Sequence, residues 1–185
     1  DVILLTLLLP TGALAEVSVY GTYNLVAYAL ICLMNAFSNS LSAGFGQLMA
    51  LGDEPALERS FQNYEYMFFG LVFTVYSCMA ALMYPFIGLY TATYADASIY
   101  SRWPLVFLFS AVGLLQGIRM PGLTMICAAG HYSQTRKQAI LEAAINLAVS
   151  LLLIGRFGIY GVLLGTAASY LYRSADIIFY SARNF

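Results

Sequence analysis

The sequence predicts an all-α, polytopic transmembrane helical bundle, and three observations carry that reading. Hydrophobic residues make up 61% of the chain and charged ones only 9%, against about 25% charged in soluble domains. Mean hydropathy is +0.77, and the apolar runs are long enough to cross a bilayer. Polar residues inside those runs recur at helical spacing, which a strand would not produce. The net charge of −1 leaves no general basic surface for nucleic acid, so any electrostatic function is local.

The elements follow in order. DVILLTLLLP reads as the end of a hydrophobic helix already under way, with no basic region or small-residue cleavage site of a signal peptide. A truncated first span of a longer protein is therefore expected. PTGALAE makes a turn. A long helix then runs from Val17 to Leu51, and LGDEPALER breaks it at Gly52 and Pro55. A second runs from Ala56 to Tyr90. At about 1.5 Å per residue both exceed the ~30 Å hydrocarbon core and should tilt or project. After TATYADASIYSR comes a helix from Trp103 to Ala129, then the loop GHYSQTRKQ. Helices over Lys137–Ile154 and Ile159–Ala182 are divided by GRFGIYG. The total is five full spans plus one truncated span, in a single membrane domain over residues 1–185.

Positive charge orients such a bundle. Arg59, Arg136, Lys137 and Arg183 fall on one side, and Arg102 and Arg156 on the other. This bias places LGDEPALER and GHYSQTRKQ in the cytoplasm. Trp103, Tyr90, Tyr94 and Tyr100 then form an aromatic belt at the outer boundary. Cys32, Cys78 and Cys127 stand singly in apolar runs, without metal or redox spacing.

Polar stripes are the informative feature. Asn24, Tyr28, Asn35, Asn39, Ser42 and Gly46 follow one another at offsets of 4, 7, 4, 3 and 4, which keeps them in one sector of a helix. Amides facing hydrocarbon are costly. The stripe must meet other helices, as interhelical glue, or line a hydrated cavity. Glu58, Gln62 and Glu65 share a face, as do Glu142, Asn146 and Ser150. Thr166, Ser169, Tyr170, Arg173 and Asp176 form a third, in which Arg173 and Asp176 pair at i, i+3 or face a ligand. Gly161 and Gly165 form a GxxxG, a signal for close helix packing.

Arg119, within GIRMPG, lies sixteen residues after Trp103 and ten before Ala129, near the middle of its span. An arginine at that depth faces a bundle interior or a cavity. Gln116 accompanies it, and Pro121 with Gly113, Gly117 and Gly122 marks a bend or weak point. Two readings stay open for Arg119: contact with cargo, or pairing to Glu65, Glu142 or Asp176. No P-loop, nucleotide fingerprint, metal constellation or Ser/His/Asp grouping can be assembled. The reading is of a non-enzyme without cofactors.

The run IRMPGLTMICAAGHYSQTRKQAILEAAINLAVSLLLIGRFGIYGVLLGTAASYLYR resembles the polysaccharide-biosynthesis flippases of the multidrug/oligosaccharidyl-lipid/polysaccharide exporter superfamily. Its most specific parts are AAGHYSQTRKQAILEAAIN and FGIYGVLLGT. Upstream, DVILLTLLL, EVSVYGTYNLV and SAGFGQLMALGDE resemble the start of that family's second lobe. The resemblance implies most of the C-terminal lobe of a two-lobe transporter in the cell membrane, whose missing N-terminal lobe supplies the other cavity wall. Such proteins move polyprenyl-pyrophosphate-linked oligosaccharide between leaflets by alternating access. Taken with the polar stripes, this points to a substrate cavity lined by Arg119, Gln116, Asn24, Asn35, Asn39, Ser42 and Arg173, with Glu65, Glu142 and Asp176 as carboxylates for internal pairing or for a coupling ion. Two other readings are a cation- or proton-coupled drug exporter and a non-transporting membrane assembly protein.

Overall fold

The computed structural model describes residues 2–8, 12–94 and 96–184. Residues 9–11, where the first predicted helix gives way to a turn, and residue 95 of the TATYADASIYSR loop lie outside the described residues. So does the side chain of Arg183, counted above in the charge bias. Six helices follow in order: α1 (Val2–Leu8), α2 (Ala13–Leu51), α3 (Glu54–Tyr90), α4 (Trp103–Ala128), α5 (Tyr132–Phe157) and α6 (Ile159–Asn184). A 3-10 turn over Ala97–Tyr100 precedes α4, and no strand occurs among the described residues.

Each boundary has a local cause. Gly52 ends α2 in the left-handed region, at φ 68°, where a side chain would be strained. Asp53 then caps α3 by accepting from the Ala56 N–H at 3.1 Å, with a proline in the first turn. A single residue, Gly158 at φ 53°, separates α5 from α6, so the predicted GRFGIYG turn is shorter than expected. The predicted GHYSQTRKQ loop is also mostly helical, because α5 begins at Tyr132. Arg136 and Lys137 mark where the apolar run starts, and a helix is free to continue past that point.

Four helices are long and apolar enough to cross a membrane: α2, α3, α4 and Ser133–Phe157 of α5. The predicted fifth full span, α6, has 26 residues but is not among them. Its polar residues lower its hydropathy, and Thr166, Ser169, Arg173 and Ser174 are buried against the bundle. The helix α6 thus has the length of a span without the hydropathy of the other four, because a whole face goes to polar packing. Elsewhere large apolar side chains such as Leu25, Phe73, Leu82 and Leu152 are exposed, as hydrocarbon-facing surface would be. At about 1.5 Å per residue, α2 and α3 extend roughly 58 and 55 Å.

The helix α4 packs against α2, α3 and α6, while α5 packs chiefly on α6. Glycines set these distances. A Cβ on Gly113 would lie 2.2 Å from the Tyr76 ring, one on Gly117 2.6 Å from Val72, and one on Gly122 2.4 Å from Ile177. The helix α4 runs unbroken from Trp103 to Ala128 with Pro121 inside it, and all three glycines are places of close approach to α3 or α6. Gly161 and Gly165 do the same between α5 and α6, where added Cβ atoms would meet the Leu153 backbone at 2.7 Å and Ser150 Oγ at 2.2 Å.

Candidate functional site

The α2 stripe meets α4 over part of its length. Asn35, Asn39 and Ser42 of α2 and Gln116 and Arg119 of α4 line one recess of about 220 Å³. Five of the predicted cavity residues are thereby brought together. Ser38 and Thr124 line it too and are pinned to α3: the Tyr64 hydroxyl donates to Ser38 Oγ at 3.0 Å and lies 3.4 Å from Thr124 Oγ1. Ser38 was missed, although its place three residues after Asn35 and four before Ser42 puts it in the same sector.

Behind this recess lies an ion cluster that joins three helices. Arg119 Nη1 donates to Glu142 Oε1 of α5. Glu142 Oε2 lies 3.6 Å from Arg173 Nε of α6, and Arg173 Nη1 donates to Asp176 Oδ2 at 2.7 Å. Exposure falls from 20% for the Asp176 side chain and 19% for Glu142 to 12% for Arg119 and 5% for Arg173. Two guanidinium groups and two carboxylates balance, which is the condition for holding charge away from water. The Tyr170 ring lies under Arg119, its centroid 4.1 Å from Cζ, a cation–π contact. Arg119 Nε is buried without a hydrogen-bond partner among the described residues. One turn along, Asn146 Nδ2 donates to Thr166 Oγ1 at 3.1 Å, extending the polar seam between α5 and α6.

The remaining predicted site residues fall elsewhere. Asn24 lies outside the recess, about 16 Å along α2 from Asn35. Arg173 also lies outside it, in the ion cluster with Asp176, the i, i+3 pair the spacing predicted. Glu65 lines a separate recess with Phe61, Ile118, Gly122 and Ile177 and makes no ion pair among the described residues. Glu142 is thus the one of the three predicted candidate carboxylates that holds Arg119.

A second arginine site escaped the sequence reading. Arg102 Nη1 and Nη2 donate to the two oxygens of Glu16 at 2.9 and 2.7 Å, and its Nε donates to the Ile99 carbonyl at 2.9 Å. Its hydrogen bonds to the Glu16 carboxylate hold this guanidinium above its ordinary pKa, against partial burial. The Arg102 N–H donates to the Tyr23 hydroxyl at 3.1 Å, which itself donates to the Tyr100 carbonyl at 2.7 Å. Glu16 and Arg102 are 86 residues apart, and no local pattern joins them.

Comparison with protein-family models, curated proteins and solved structures finds no match to this chain. No group of three or more His, Cys, Asp or Glu residues that could hold a metal ion occurs among the described residues.

Proposed function

We propose that this chain is one lobe of a multi-pass cell-membrane transporter that moves polyprenyl-pyrophosphate-linked oligosaccharide between leaflets for cell-surface polysaccharide synthesis. In this reading α6 crosses the membrane as the fifth full span, its polar face turned to α4 and α5. The missing N-terminal lobe closes the recess between α2 and α4, and alternating access exposes that recess to each side in turn. One observation carries the proposal: Arg119, on a helix long and apolar enough to cross a membrane, lines a polar recess, with a buried guanidinium nitrogen left unpartnered among the described residues. Charge-assisted hydrogen bonds from arginine to phosphate oxygens are strong, so a pyrophosphate headgroup suits this site.

The test has two arms. In the full-length protein freed of its native cysteines, cysteines placed at Asn35 and Asn39 should react with a membrane-impermeant thiol reagent. Shielding of both positions from both sides of the membrane would remove the cavity. Arg119→Ala should abolish surface glycan at unchanged protein abundance, and normal glycan display would take Arg119 out of the mechanism.

A second reading rests on the ion cluster. Glu142 and Asp176 are carboxylates at about one-fifth exposure, and in a cation- or proton-coupled drug exporter they would carry the coupling ion. Drug resistance lost with Glu142→Gln, with glycan display intact, selects that reading.

A further inference from the structure

Two recesses meet at one ion pair. Arg119 lines the recess between α2 and α4. Glu142 lines a second recess, of about 340 Å³, with Ala139, Ala143, Asn146, Ser169 and Tyr170 between α5 and α6. The backbones of α4 and α5 hardly pack on each other, so the Arg119–Glu142 ion pair reaches across the gap from a residue lining one recess to a residue lining the other.

The two members of the pair are held unequally. Arg119 rests on the Tyr170 ring of α6, a contact that does not need Glu142. Glu142 has a second cation available, Arg173 Nε at 3.6 Å from its other oxygen, beyond hydrogen-bond length. Small residues, Ala139 and Ala143, flank it within the open recess. The carboxylate has somewhere to go and a charge to go to, whereas the guanidinium is seated.

We propose that Glu142 is an internal stand-in for the anion that Arg119 binds. A phosphate-type anion entering the α2/α4 recess takes Arg119 from Glu142. Glu142 swings to Arg173, and the two recesses join into one polar passage from α2 to α6. This rests on the transporter reading above and adds to it a built-in competitor. Without ligand the chain closes its own anion site, so Arg119 is never left as an unpaired buried charge, which would be costly.

The experiment measures binding of two probes, inorganic pyrophosphate and farnesyl pyrophosphate, to the full-length protein in lipid nanodiscs. Glu142→Gln keeps the shape of the side chain and removes the competing charge, so it should bind at least about tenfold more tightly than the parent. Glu142→Asp, one methylene shorter, keeps the charge but loses reach to Arg119, and should also bind more tightly. It guards against misfolding of the first variant. Arg119→Gln should bind neither probe. Tightening with both probes supports the exchange for a phosphate group of either source. Tightening with farnesyl pyrophosphate alone supports it for a lipid-linked headgroup. Parent-level binding by both Glu142 variants, with binding lost in Arg119→Gln, overturns the competitor and leaves the anion site standing. No binding of either probe by the parent or any variant overturns the anion site itself, and the competitor with it.

Discussion

Arg102 stands at the start of α4 and Arg119 well inside it, and their surroundings differ in kind. Arg102 has a carboxylate to itself, bound through both terminal nitrogens, and its Nε is given to a backbone carbonyl. Every nitrogen of that guanidinium is engaged, and the site joins α2 to the start of α4. Arg119 shares its carboxylate with Arg173, keeps Nε unpartnered and borders an open recess. A fully engaged arginine fastens two elements. An arginine with an unused donor and a divided counter-ion is available to something else.

This contrast can be broken by measurement. The largest effect is expected from Glu142→Ala, which leaves two buried guanidinium groups facing one carboxylate. It should cost about 3–5 kcal/mol in reversible unfolding in mixed micelles. Arg119→Met should cost less, about 2 kcal/mol, because the charge it leaves unbalanced falls on carboxylates about one-fifth exposed and not on the more buried guanidinium groups, yet it should abolish glycan display. Stability falling as far as in Glu142→Ala would make Arg119 a structural residue like Arg102. Glu16→Ala should cost about 1 kcal/mol, since that pair is about one-quarter exposed, and glycan display should persist. A loss of 3 kcal/mol or more there would erase the distinction between the sites. The smallest effect is the coupling between Tyr170→Leu and Arg119→Met in a double-mutant cycle, about 0.5–1 kcal/mol for the ring beneath the guanidinium. Additive single effects would mean that the ring does not seat Arg119.

The same contrast shows what a sequence of this kind can display. The recess was legible because Asn35, Asn39 and Ser42 repeat at the period of a helix, and Gln116 and Arg119 sit one turn apart. The stripe nevertheless runs further than the recess, to Asn24. Packed helices cross at an angle, so a straight stripe meets one neighbour for only a few turns. Periodicity reports which residues share a face and carries no record of where that face is covered. For the same reason Arg119 could be assigned three carboxylate partners but not one of them. Arg102 and Glu16 had no periodic neighbour to draw attention to them. The span count by length and the count by hydropathy differ at α6 for a related reason: it has the length of a span, but the polar face it turns inward against α4 and α5 lowers its hydropathy.

The one-residue joint at Gly158 has a mechanical consequence. A hairpin with no spare chain cannot let one arm slip lengthwise along the other. Gly161 and Gly165, seated against the Leu153 backbone and Ser150, resist the same slip further down. Glu142, Arg173 and Asp176 therefore travel as passengers on one rigid hairpin. Rearrangement among them has to come from rotation of side chains, and longer-range movement has to carry all three charges together.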